Sequence, residues 1–144
     1  MTRTEFIATA RTYLGTQFIH QGRLPGIGLD CAGVVVCALR ENDYGVNDRS
    51  GYGRIPAGGE FMAAIWEHCD PVHLGDVRPG DLMMFAFRNE PQHIAIVSAI
   101  EPIMLIHSWS DVGRVVENGM DEIWRMRLRG CYRLKQISGA IPCL

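Results

Sequence analysis

Apolar positions follow a helical period in the first half of the chain and a strand period in the second. Phe6, Ile7, Ala10, Tyr13 and Leu14 recur at the spacing of one helix face. Thr2 and Glu5, just ahead of them, have the form of a capping box, and Gly15 can close the helix. A loop containing Gly22, Pro25, Gly26 and Gly28 follows. A second helix is expected from Cys31 to about Asn42, with Asp30 as its N-cap. Its middle, residues 32–39, is apolar on every side, so this helix should be buried. Residues 49–59 are rich in turn formers, and a third helix over 60–68 would bury Phe61, Ala64 and Ile65.

The second half reads as strands. Residues 81–87, 92–99 and 103–109 are apolar and rich in branched side chains, punctuated by Asn89-Glu90-Pro91 and Glu101-Pro102. Val115-Val116 suits a short fourth strand after a turn over 110–113. Arg125, Arg127 and Arg129 alternate with Met126 and Leu128, the period of a strand with one wet face, and residues 131–134 continue it or add another. His68 and His73 flank Cys69 and Asp70 in what reads as a solvated helix-exit loop. Helices first and strands afterwards predict an α+β fold with an antiparallel sheet. The chain shows no repeat, low-complexity block or linker, so residues 1–144 are expected to form one domain.

Composition narrows the function classes. A 144-residue chain that is 47% hydrophobic and 21% charged suits one core. Five cysteines cannot all pair within one chain. A formal net charge of -2 argues against a nucleic-acid partner. Residues 1–14 lack the apolar stretch of a secretory signal. No apolar run approaches the roughly 18 residues of a membrane span. Synthesis in the cytoplasm without membrane insertion is therefore expected. Lys135 is the single lysine against 13 arginines. That bias reads either as carboxylate recognition by guanidinium forks or as the codon usage of a GC-rich genome.

Cys31 stands where free helix amides and the helix dipole would stabilise a thiolate. Cys37 falls in the apolar middle of the same helix and is expected to pack inertly, while Cys69, Cys131 and Cys143 have no helpful context. His93 opens one predicted strand and His107 closes the next. A register placing them directly opposite would bring their Cβ atoms to about 4.5–5.5 Å on one sheet face. A one-residue slip would put them on opposite faces. A thiol nucleophile needs a base, and the base needs a polar partner to fix its tautomer. Cys31, His93 and His107 can fill those roles in that order. The same three residues could instead hold zinc, although neither CxxC nor HExxH spacing is present. Trp109 and Trp124 are expected to pack.

The sequence resembles the NlpC-type cell-wall peptidase family, papain-like cysteine endopeptidases of bacteria and phages. Gly28-Leu29-Asp30-Cys31-Ala32-Gly33 resembles its nucleophile motif, and Arg78-Pro79-Gly80-Asp81-Leu82 the turn before the histidine strand. His93-Ile94-Ala95-Ile96 resembles its base motif, and Ile106-His107-Ser108 its third polar position. Residues 18–23, FIHQGR, are similar to the phage-associated branch. The resemblance implies a papain-like fold and hydrolysis of a peptidoglycan stem-peptide amide, often between D-glutamate and a diamino acid. Catalysis would use Cys31, His93 and His107 without metal or organic cofactor. It further implies delivery to the cell wall by a phage-like particle, with tail proteins as partners. The family often has Ser at Ala32 and Tyr near Phe18. His20 would share the face of Phe18 in a strand and could supply the missing polar group. Asp30 could hold a substrate amine, or N-capping alone could explain it. A binding module of a phage-like tail, catalytically silent on the same fold, is the alternative.

Overall fold

Thr2 and Glu5 do close a capping box. Thr2 Oγ1 accepts from the Glu5 amide at 3.1 Å, and Glu5 Oε2 accepts from the Thr2 amide at 2.8 Å. They start α1 (Arg3–Arg11), which buries Phe6, Ile7 and Ala10. Tyr13 is buried just beyond it, whereas Leu14 turns outward. The computed structural model describes residues 1–46, 58–87 and 90–138. Most of the turn-rich 49–59 stretch, the Asn89 turn, the Phe61 side chain and Cys143 lie outside the described residues.

The glycine-rich loop contains a two-stranded ribbon that the residue pattern does not announce, β1 (Arg23–Leu24) paired with β2 (Gly28–Leu29). The buried helix α2 (Cys31–Glu41) follows directly, and then α3 (Gly58–His68). The remaining strands are β3 (Cys69–Val72), β4 (Leu82–Phe87), β5 (Glu90–Ile100), β6 (Ile103–Trp109), β7 (Arg114–Gly119) and β8 (Leu128–Leu134). They form one antiparallel sheet in the order β3-β8-β4-β5-β6-β7. The α+β architecture is as expected, with α1 and α2 on the face of Ile94, Ile96 and Ile106.

Two local expectations fail. The loop at Cys69-Asp70 is instead β3, held by its pairing with β8. The arginine alternation does not begin as a strand, because residues 122–127 form α4 (Glu122–Arg127). Asp121 caps that helix by accepting from the Trp124 amide at 2.9 Å, and Trp124 is buried on the sheet's second face with Phe85, Ala95 and Leu105. Cap and anchor together outweigh a weak period-two pattern.

The β5–β6 pairing carries a one-residue irregularity with functional weight. Ile100 pairs with Ile103 and Ala99 with Met104, but Val97 pairs with Leu105 and Ile96 with Ile106. Ser98 is the extra residue of a β-bulge. Extending the register of the hairpin end without the bulge would align odd positions of β5 with even positions of β6. His93 and His107 would then lie on opposite faces. With the bulge, odd aligns with odd, and both point to the face of Ala95 and Leu105.

Asp81 ties the two ends of the chain to the sheet. It is fully buried, and its carboxylate accepts from Arg3 Nη1 at 2.9 Å and from Arg133 Nε and Nη2 at 3.0 and 2.8 Å. It also accepts from the Arg78 amide at 2.9 Å. The helix α1 and the last strand β8 are thereby locked to the start of β4. Removing one partner of a buried ion pair strands the other charges and costs about 3–5 kcal/mol. Asp81→Ala should therefore lower the free energy of unfolding by about that amount, as read by urea denaturation. A loss within the noise of a surface substitution would contradict this account.

Candidate active site

Cys31 is presented by a loop that is packed backbone against backbone. Asp30 Oδ1 accepts from the Gly33 amide at 2.8 Å and from Arg23 Nη1 at 2.8 Å, while Oδ2 accepts from the Gln21 amide at 3.0 Å. The carboxylate thus caps α2 and holds the preceding loop at once. A Cβ on Gly33 would lie 2.2 Å from the Gly22 carbonyl oxygen, so only glycine allows this approach. Ser108 of β6 donates to the Leu29 carbonyl at 2.7 Å, tying the loop to the strand that carries His107.

At the head of α2 the half-buried Cys31 faces β5. The amide of Ile94, the residue after His93, is among the groups that act on the Cys31 thiol. Burial and the Asp30 carboxylate push its thiol up to about 12, against a smaller opposing pull from the Ile94 and Ala32 amides and from Arg23. Burial thus opposes the stabilisation of a thiolate that the helix start offers.

The two histidines touch. His93 Nε2 and His107 Nδ1 are 2.6 Å apart. They are diagonal neighbours and not the directly opposed pair expected, since the observed register continues to place Ala95 opposite His107. His107 Nε2 lies 2.6 Å from Asn118 Oδ1 on β7. Both imidazoles are almost fully buried, at 3% and 1% exposure. Trp124 packs on both, with centroid separations of 5.4 Å to His93 and 5.0 Å to His107. Phe85 and Phe87 flank His93, and the Arg127 guanidinium lies over Phe87 at 5.0 Å. Burial holds His93 well below the ordinary histidine range, with His107 and Arg127 adding to the effect. His107 is lowered by burial too, with Asn118 opposing. Burial thus disfavours charge on the Cys31 thiol and on both imidazoles.

The structure accordingly brings Cys31 to the strand of His93, and joins His93 to His107. Asp30 lies beside them but directs its oxygens at the protein's own amides and Arg23. His20 is half-buried in a loop, not a strand, so alternation does not place it beside Phe18. Cys37 is buried and donates to the Arg23 carbonyl at 3.3 Å. Asn118 was missed. Its signal was the alternation Val116, Asn118 on a strand read as ending earlier. Among the described residues no group of three or more His, Cys, Asp or Glu is placed to hold a metal ion. Nor is any described helix long and apolar enough to cross a membrane.

Residues 15–133 match the NlpC/P60 family, and the chain belongs to it. Its fold is that of NlpC/P60 domains in solved structures. One is a lipoprotein-like NLP/P60 protein of Staphylococcus aureus, at 15% identity and TM-score 0.71, covering 95% of this chain and 42% of that one. The chain thus spans about two fifths of that longer relative. The NlpC/p60 domain of the peptidoglycan hydrolase SagA aligns at 16% identity and TM-score 0.67, over 93% of this chain and 100% of that one. RipD of Mycobacterium tuberculosis, described as a non-catalytic NlpC/p60 protein adapted to peptidoglycan binding, aligns at 13% identity and TM-score 0.64, over 94% and 97%. No curated protein matches the sequence.

Two outcomes follow from this geometry. Gly33→Ala forces its methyl group against a carbonyl and should cost about 1–3 kcal/mol of stability, measurable by urea denaturation. Histidines buried neutral bind fewer protons folded than unfolded. Their contribution is complete above the unfolded pKa near 6.5 and is lost as pH falls below it. Stability should drop by up to about 1.4 kcal/mol per pH unit per histidine between pH 6.5 and 5. A His93→Gln, His107→Gln double variant should show a flatter profile over that window. An equal slope in both proteins would contradict the assignment.

Proposed function

We propose that the protein is a cysteine peptidase that hydrolyses an amide of peptidoglycan stem peptides. The observation that carries this reading is the hydrogen-bonded His93–His107 pair, enclosed by aromatic rings, on a strand whose next residue, Ile94, has its amide among the groups acting on the Cys31 thiol. His93 Nδ1 takes the thiol proton as the sulfur attacks the substrate carbonyl. The Cys31 amide, at the helix start, helps bind the oxyanion. Collapse of the tetrahedral intermediate breaks the C–N bond, and His93 returns the proton to the leaving amine. Water then hydrolyses the thioester, with His93 again acting as base. Proton transfer from the thiol accompanies the attack, because burial disfavours a standing thiolate.

The finer parts of the proposal rest on the motif resemblance. The bond is D-glutamyl–diamino acid, and delivery is by a phage-like particle with tail proteins as partners. Asp30 is assigned to positioning the loop. A second reading, a peptidoglycan-binding module, is favoured by the likeness to RipD, whose fold persists without catalysis. The two separate in one assay. With purified peptidoglycan fragments, wild type should release new amines, and Cys31→Ala should lower the rate by at least about a thousandfold. Binding of the fragments without amine release by folded wild-type protein would establish the second reading instead.

A further inference from the structure

We propose that Asn118 is a positioning residue that sets the tautomer of both histidines from the far end of the chain of hydrogen bonds. The orientation of its amide is fixed by use of both ends. Nδ2 donates to the Gly119 carbonyl at 3.4 Å, leaving Oδ1 toward His107 Nε2 at 2.6 Å. A carbonyl oxygen only accepts, so His107 Nε2 carries the hydrogen. In a neutral imidazole the other nitrogen is then a lone pair, and His107 Nδ1 accepts from His93 Nε2–H across 2.6 Å. That leaves the lone pair of His93 on Nδ1, the edge of the ring turned away from His107. Without Asn118, nothing in this chain of contacts selects between the tautomers. A His107 carrying its proton on Nδ1 would force His93 to accept at Nε2 and to present a useless N–H at Nδ1.

Asn118 also does what a carboxylate at this position would not. It accepts a hydrogen bond without adding negative charge, so neither imidazole is drawn into a standing imidazolium. The neighbouring Arg127 and the aromatic enclosure act in the same direction. The assigned tautomers stand on geometry alone, while their kinetic consequence rests on the peptidase reading.

Two-bond proton–nitrogen NMR on nitrogen-15-labelled protein, at a pH where both rings are neutral, reads each tautomer directly. Wild type should show both histidines protonated at Nε2. Asn118→Leu should give a mixture or an Nδ1-protonated His107, and Asn118→Asp should keep the wild-type tautomer. Asn118→Ala replaces the leucine variant if that fails to fold. In the peptidoglycan assay, Asn118→Leu should lower kcat by about 10–100-fold with KM unchanged, and Asn118→Asp should recover much of it once the pH is high enough to keep both rings neutral. Unchanged tautomers in the leucine or alanine variant would overturn the proposal, as would a change confined to KM. If wild type proves inactive, the function reading fails while the NMR result still decides the role of Asn118.

Discussion

The bulge at Ser98 is the constraint on which the centre depends. Side chains alternate across a sheet, so a single residue of register decides whether His93 and His107 share a face. The inserted residue moves the β5–β6 pairing from one parity to the other between Ala99 and Val97. Only then can His93 Nε2 approach His107 Nδ1. The rest of the site is arranged around that contact. Trp124 reaches it from a short helix between the last two strands, Ser108 ties the strand of His107 to the loop before Cys31, and Asn118 completes the line from β7.

The two imidazoles are buried. Aromatic rings enclose the imidazoles and exclude water, which disfavours a charge on either one. Burial likewise disfavours the Cys31 thiolate, and the amides at the head of α2 recover only part of that cost. On the proposed peptidase reading, charge forms during reaction, when a substrate carbonyl receives the sulfur and fixed dipoles meet the oxyanion. The glycine-rich loop serves this arrangement mainly by its own packing. Gly33 and Gly22 let two backbones touch where a side chain would hold α2 away. The arginine excess acquires a structural use as well. Arg3 and Arg133 meet at Asp81, Arg23 meets Asp30 and Arg11 meets Glu117, so several guanidinium forks are spent inside the protein.

What was legible in the residues was local or strictly periodic. The capping box at Thr2 and Glu5, the Asp30 cap, the buried run of α2 and the apolar strands β4 to β6 all follow from neighbours within one turn or one pleat. The pairing of two histidines across a hairpin was visible too, from their positions at strand ends. The bulge was not, because Ser98 carries no turn signal and its cause lies in the fit between two strands and what packs on them. The helix α4 was hidden by an arginine alternation of the wrong period, and the Asp121 cap with the burial of Trp124 decides between the two. Asn118 was out of reach for the same reason as the exact register: its role exists only once β6 and β7 are aligned. The burial that opposes a Cys31 thiolate was not legible either, because a helix start can be read in sequence and desolvation cannot.

The central claim is that Cys31 attacks the substrate and carries the acyl group, with His93 as the base. Rapid acid quench of the protein turning over a peptidoglycan stem peptide, followed by intact-mass analysis and peptide mapping, tests it most directly. A transient adduct with the mass of the acyl fragment, located on Cys31 and absent from a His93→Ala protein, is the predicted result. Product release with no adduct on Cys31, or an adduct on another residue, would contradict it.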